Sequence, residues 1–118
     1  DWPILDRGND TTSNYAARAA LAAHQQGKYL QVYQALMAEN GLTRAAVDRV
    51  LAENGVSMPA AVAAIRSPEM NRHLADIHTT GATLGLVGTP TFLINGKTTS
   101  SIAPAEVLAA IEAAKAAA

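Results

Sequence analysis

The sequence predicts an α/β fold that is mostly helical, and three observations carry that expectation. Apolar residues recur at helical spacing through most of the stretch from about 12 to 86. The pattern then changes at Thr91–Ile94, which is β-branched and aromatic, and Asn95-Gly96 follows as the strongest two-residue hairpin signal. Pro104 opens a last helix that runs towards the end of the chain.

A length of 118 residues suits one compact domain or part of a slightly larger one. The chain is 49% hydrophobic with Ala dominant, yet it holds only five aromatic residues, Trp2, Tyr15, Tyr29, Tyr33 and Phe92. Close packing of small side chains is therefore expected. Net charge is −1 without a basic or acidic run, which argues against nucleic acid and anionic lipid as partners. No apolar stretch reaches the length of a membrane span. Cysteine is absent altogether, and absence fits either redox compartment. The start at Asp1, with Trp2-Pro3-Ile4-Leu5 following at once, reads as an interior segment of a longer protein.

Taken in order, Asp1–Leu5 reads as the tail of a strand or an edge segment, because Pro3 cannot donate to a ladder. Asp6–Thr12 is polar and turn-rich, hence a loop. Residues 13–26 form an Ala-rich helix with Ser13 or Asn14 as cap and Gly27 as stop. Residues 28–38 place Tyr29, Tyr33, Leu36 and Met37 on one stripe, read as a helix–helix core face. Thr43 can cap a helix carrying Val47, Val50 and Leu51, which stops at Asn54-Gly55. Ser57-Met58-Pro59 and Ser67-Pro68-Glu69 each mark a helix start. The second launches a stripe of Met70, Leu74, Ile77 and Leu84, with Gly81 as a small residue where something packs closely. Lys97–Ile102 is a polar return strand, and the final helix turns Val107, Leu108 and Ile111 inward.

The run Gly88-Thr89-Pro90-Thr91-Phe92-Leu93-Ile94-Asn95-Gly96 combines a Thr-Pro turn, an apolar strand and a hairpin turn. An X-Pro bond prefers trans by only about 0.5–1 kcal/mol, so tertiary contacts can hold it cis. In a cis turn the residue before Pro can offer its backbone N–H and C=O to an extended peptide. This run resembles the cis-proline segment of the DsbA-like thioredoxin family. Asp1-Trp2-Pro3-Ile4-Leu5 looks like the end of that family's second thioredoxin strand, and Ala19–Tyr29, with its Gly-Lys-Tyr turn, resembles the start of its inserted helical domain. The similarity covers essentially the whole chain in the expected order.

The resemblance implies a thioredoxin-like fold in which 1–11 is a strand end and loop, 12–86 a helical insert, and 87–118 the cis-proline loop, hairpin and C-terminal helix. It implies a thiol–disulfide oxidoreductase that forms or isomerises disulfides in exported, for example periplasmic, proteins. Its partners would be unfolded or cysteine-containing proteins and a redox partner protein, with no cofactor. Gly88, Thr89, Pro90 and Thr91 carry over as the substrate-facing loop. In that family a C-x-x-C at a helix N-terminus has a lowered thiol pKa because the dipole and backbone amides favour thiolate. No catalytic residue carries over, since the chain has no thiol, and as it stands it should be inactive. The strand that leads to C-x-x-C would lie between the Asp1–Leu5 strand and the Phe92 strand, so further residues of the protein, a second copy by dimerisation or domain swapping, or a changed arrangement is expected to fill that gap. Two other classes share these features: a kappa-type glutathione-dependent transferase or isomerase, and a redox-inactive peptide-binding module.

Other candidates read as ordinary surface or core. His24, His73 and His78 lack the i, i+4 geometry of a helical metal site, so no metal ligand is assigned. Glu69 and Asp76 near His73, and Asp48 with Arg44 or Arg49, read as exposed helix-face charges. Ser100 and Ser101 lack a base nearby, Gly88 is punctuation between helix and turn, and Trp2 is expected to lie against the helical insert.

Overall fold

The computed structural model describes residues 2, 3, 6 and 8–118. Its elements are α1 (Thr12–Gln25), α2 (Tyr29–Ala38), α3 (Arg44–Glu53), α4 (Met58–Ile65), α5 (Pro68–Thr83), β1 (Leu93–Ile94), β2 (Lys97–Thr98) and α6 (Pro104–Ala116). They form two compact units, Asp1–Gly81 and Ala82–Ala118, with the division falling inside α5. The strand end expected at Asp1–Leu5 falls partly on Asp1, Ile4 and Leu5, outside the described residues. Trp2 and Pro3 belong to no strand.

Helix ends in the first unit are set by local chemistry. The Asp6 carboxylate accepts the backbone N–H of Ser13 at 2.7 Å and of Asn14 at 2.8 Å, satisfying two orphan donors at the start of α1. At its other end Gly27 takes φ +71°, which lets the Lys28 N–H reach Ala23 C=O at 2.9 Å and the Gly27 N–H reach His24 C=O at 3.0 Å. That paired bonding is a Schellman cap. Gly55, at φ +74°, ends α3 the same way, with Val56 bonded to Leu51 C=O and buried behind it. Thr43 Oγ1 caps α3 by accepting from the Ala46 N–H at 3.1 Å. Ser67 Oγ does the same for Met70 in α5, at 3.1 Å. The Gln26 side chain brackets Ser57, donating to its C=O at 3.2 Å and accepting its N–H at 2.8 Å, which ties the end of α1 to the start of α4.

The core of this unit joins Ala19, Ala22 and Ala23 of α1 to Val32 of α2, to Val47, Val50 and Leu51 of α3, and to Ala61 and Ile65 of α4. Its largest fully buried side chains are only Leu51, Val32, Val47 and Val50. Small side chains on α1 let three helices lie close to it, as the composition led one to expect.

Two sequence expectations change here. The face that α2 buries is centred on Val32, with Ala35 and Leu36 beside it. Tyr33 and Met37, assigned to the core stripe, are 39% and 71% exposed. A compact β-branched side chain fits against the alanine surface of α1 where a longer one would hold the helices apart. Asp48 pairs with neither arginine: its carboxylate accepts the Tyr15 hydroxyl at 2.5 Å. Arg44 instead donates to Thr11 Oγ1 and stacks over the Tyr15 ring at 4.6 Å, while Arg49 pairs with Glu39 and Glu53.

Met70, Leu74 and Gly81 of the α5 stripe are buried and Ile77 is half-buried, but Leu84 lies past the helix end and is exposed. In the second unit β1 and β2 pair antiparallel, with Leu93 opposite Thr98 and Ile94 opposite Lys97. Asn95 and Gly96 both have positive φ, 49° and 77°, the pattern of a type I′ turn. The return strand is shorter than Lys97–Ile102. After the Thr99 N–H bonds Phe92 C=O at 3.1 Å, the Thr99 hydroxyl turns onto Ser101 C=O and Ser101 Oγ accepts from the Ala103 N–H. Those bonds bend the chain out of the ladder and into α6. Of the three residues expected inward on α6, only Val107 is buried, and Leu108 is 58% exposed. A hairpin and one helix supply no further layer to cover the rest.

Candidate functional site

The loop Gly88–Thr91 lies between Gly85, where the chain leaves α5 with φ +68°, and the first strand of the hairpin. The Thr89–Pro90 peptide bond is cis. Gly88 is half-buried, whereas Thr89, Pro90 and Thr91 are exposed. The Thr91 hydroxyl donates to Gly88 C=O at 2.5 Å, closing the loop on itself. No hydrogen bond among the described residues engages the backbone N–H or C=O of Thr89. The four residues singled out in the sequence are thus contiguous in space as in sequence. They present an open donor and acceptor pair at one end of the hairpin.

The hairpin forms a two-stranded sheet. Among the described residues β1 pairs with β2 alone, so its other edge carries free backbone groups. Phe92, Leu93 and Ile102 of the same unit are exposed, as are Leu108 and Ile111 on α6.

The other chemical candidates are placed elsewhere. His78 Nδ1 accepts the indole N–H of Trp2 at 2.9 Å, and His24 meets Tyr29 edge-on at 6.1 Å. His24 and His73 line a surface hollow of about 280 Å³ with Glu69, but no three His, Asp or Glu side chains among the described residues are grouped to hold a metal. Glu69 pairs with Arg72 in the first turns of α5, at 3.4 Å. Ser101 serves the turn before α6. No described residue offers a nucleophile set against a base, and the chain contains no cysteine.

Comparison with known proteins gives two concordant results. The family model of the DSBA-like thioredoxin domain matches residues 5–114. A crystal structure of a thioredoxin-like oxidoreductase from Silicibacter pomeroyi DSS-3 is similar with a TM-score of 0.87 and 34% sequence identity. The match covers 99% of this chain and 66% of that one. No curated protein matches the chain.

Proposed function

The chain belongs to the DSBA-like thioredoxin domain family, and on that premise we propose that it is the substrate-holding portion of a thiol–disulfide oxidoreductase. The observation that carries this reading is the exposed Gly88–Thr91 loop, whose Thr89 backbone N–H and C=O have no partner among the described residues. An extended polypeptide can add to such a loop as a short strand, its own N–H and C=O pairing with those of Thr89. Because the pairing uses main-chain groups, it suits unfolded substrates of varied sequence. The edge of β1 that has no partner among the described residues extends the same type of surface.

Thiol chemistry has to come from outside these residues, since a mixed disulfide needs a thiolate and the chain supplies none. In this reading the cysteine-bearing segment sits next to the loop and completes the sheet against β1. The 118-residue chain alone should therefore fail to reduce insulin, whereas the protein with its thiol segment should reduce it.

Peptide binding tests the loop directly. An unfolded cysteine-containing peptide should shift the Thr89 and Thr91 amide resonances of this chain. A peptide N-methylated at the pairing position has lost its donor and should bind several-fold more weakly. Equal binding of the two peptides, or no binding of either, would overturn the assignment.

A further inference from the structure

The first unit holds a cleft of about 530 Å³ between α1, α3 and α4, lined by Thr11, Asn14, Tyr15, Arg18, Arg44, Val62, Ile65 and Arg66. We propose that this cleft binds a small organic anion through a phosphate or carboxylate group. Its volume lies within the roughly 300–1,000 Å³ typical of small-molecule sites. Among the described residues three arginines line it and no Asp or Glu does, in a chain whose net charge is −1.

The state of each arginine argues for a ligand. Arg18 donates to Asn14 Oδ1 at 2.7 Å and to Ile65 C=O at 2.9 Å. Arg44 donates to Thr11 Oγ1 at 2.9 Å and stacks on Tyr15. Both are held in place by uncharged acceptors, which fixes their position without neutralising them. The Arg66 side chain makes no hydrogen bond or ion pair among the described residues; its backbone N–H bonds Val62 C=O at 3.2 Å at the end of α4. By contrast, Arg49 and Arg72, outside the cleft, are each paired with glutamate. The nearby carboxylate of Asp48 accepts from the Tyr15 hydroxyl and forms no ion pair with the arginines.

Guanidinium groups match planar and tetrahedral oxyanions with two parallel hydrogen bonds, and positions set in advance lower the cost of binding. Arg66 has its whole fork free to do this, beside two cations already in place. The Tyr15 ring, Val62 and Ile65 add apolar wall. This mixture suits a metabolite with a carbon skeleton better than a bare inorganic ion.

The test titrates the chain with phenyl phosphate and with citrate, followed by backbone amide resonances, with benzamide as the uncharged control. At least one of the two anions should shift the amides of Thr11, Arg44 and Arg66, and its affinity should fall as sodium chloride rises. The anion that binds more tightly identifies the headgroup. Arg66→Gln removes no intramolecular bond, so its melting temperature should hold while affinity drops about tenfold. Arg72→Gln should bind as the parent does. Absence of a shift with both anions, equal shifts with benzamide, or full affinity in Arg66→Gln would each overturn the proposal.

Discussion

The indole ring of Trp2 lies on Gly81. A Cβ built on Gly81 would stand 3.0 Å from Cζ2 of that ring, 3.1 Å from Cη2 and 3.3 Å from Cε2. One turn earlier on α5, His78 Nδ1 accepts the Trp2 indole N–H at 2.9 Å. Together these two contacts pin the first described residues to a single helix face, and they need a position without a side chain to do it.

Gly81→Ala should therefore produce two opposing effects. Alanine favours the helix interior by about 1 kcal/mol over glycine, while the new methyl pushes the ring outward by a few tenths of an ångström. Net stability should change by less than about 1 kcal/mol. Emission from Trp2, the chain's one tryptophan, should nevertheless move to longer wavelength. Gly81→Leu cannot be absorbed in this way and should cost about 1–3 kcal/mol. Unchanged emission in both variants would show that the ring does not rest there in solution.

The helical core offers a sharper contrast. Leu51 is fully buried and Met37 is 71% exposed. Leu51→Ala should destabilise by about 2–5 kcal/mol through lost contacts and a residual cavity. Met37→Ala should stay within about 0.5 kcal/mol of the parent. Urea unfolding followed by far-ultraviolet circular dichroism separates the two outcomes.

Asp6 makes a third prediction possible. Its two oxygens accept two amides at the N-terminus of α1, where a negative charge is also favoured by the helix dipole. Asp6→Ala should cost about 0.5–2 kcal/mol, as loss of a helix cap does. Asp6→Asn retains one oxygen acceptor and should cost less. Equal melting temperatures for all three proteins would show that α1 starts without its help.

At high pH the tyrosines should decide stability. The Tyr15 phenol is pushed up from its ordinary value, first by burial and then by its bond to the Asp48 carboxylate. Burial raises Tyr29 as well, with a smaller contribution from Tyr33. A folded pKa above the unfolded one contributes stability that is complete below the unfolded value, near pH 10, and is lost as pH rises through the folded value. Stability should fall across that alkaline window, and Tyr15→Phe should flatten the fall. A difference titration of tyrosinate absorbance, run beside thermal melts, gives both quantities.

Local signals made most of the elements legible. Gly27 and Gly55 as stops, Thr43 and Ser67 as caps and Asn95-Gly96 as a turn each act through bonds within a few residues, so their types and spacing suffice. The Gly88–Thr91 loop was legible for the same reason, since it is one unbroken run. Facing between helices was not. Whether Val32 or Tyr33 enters the core depends on how closely α2 approaches the alanines of α1, which no residue of α2 encodes. The Tyr15–Asp48 bond joins two helices, and Arg18, Arg44 and Arg66 meet only after α1, α3 and α4 pack. No spacing along the chain could have grouped those three.

Among the described residues the buried side chains are all alanine, valine, leucine, isoleucine or methionine, with the aromatic residues left outside them. The interior is consequently silent in the near ultraviolet. Tryptophan emission and aromatic dichroism report only the rim, at Trp2 and the tyrosines. Loss of those signals with helical dichroism intact would ordinarily be read as a molten globule. In this molecule it would mean that the rim had loosened around an intact centre, and methyl resonances would be the direct view of that centre.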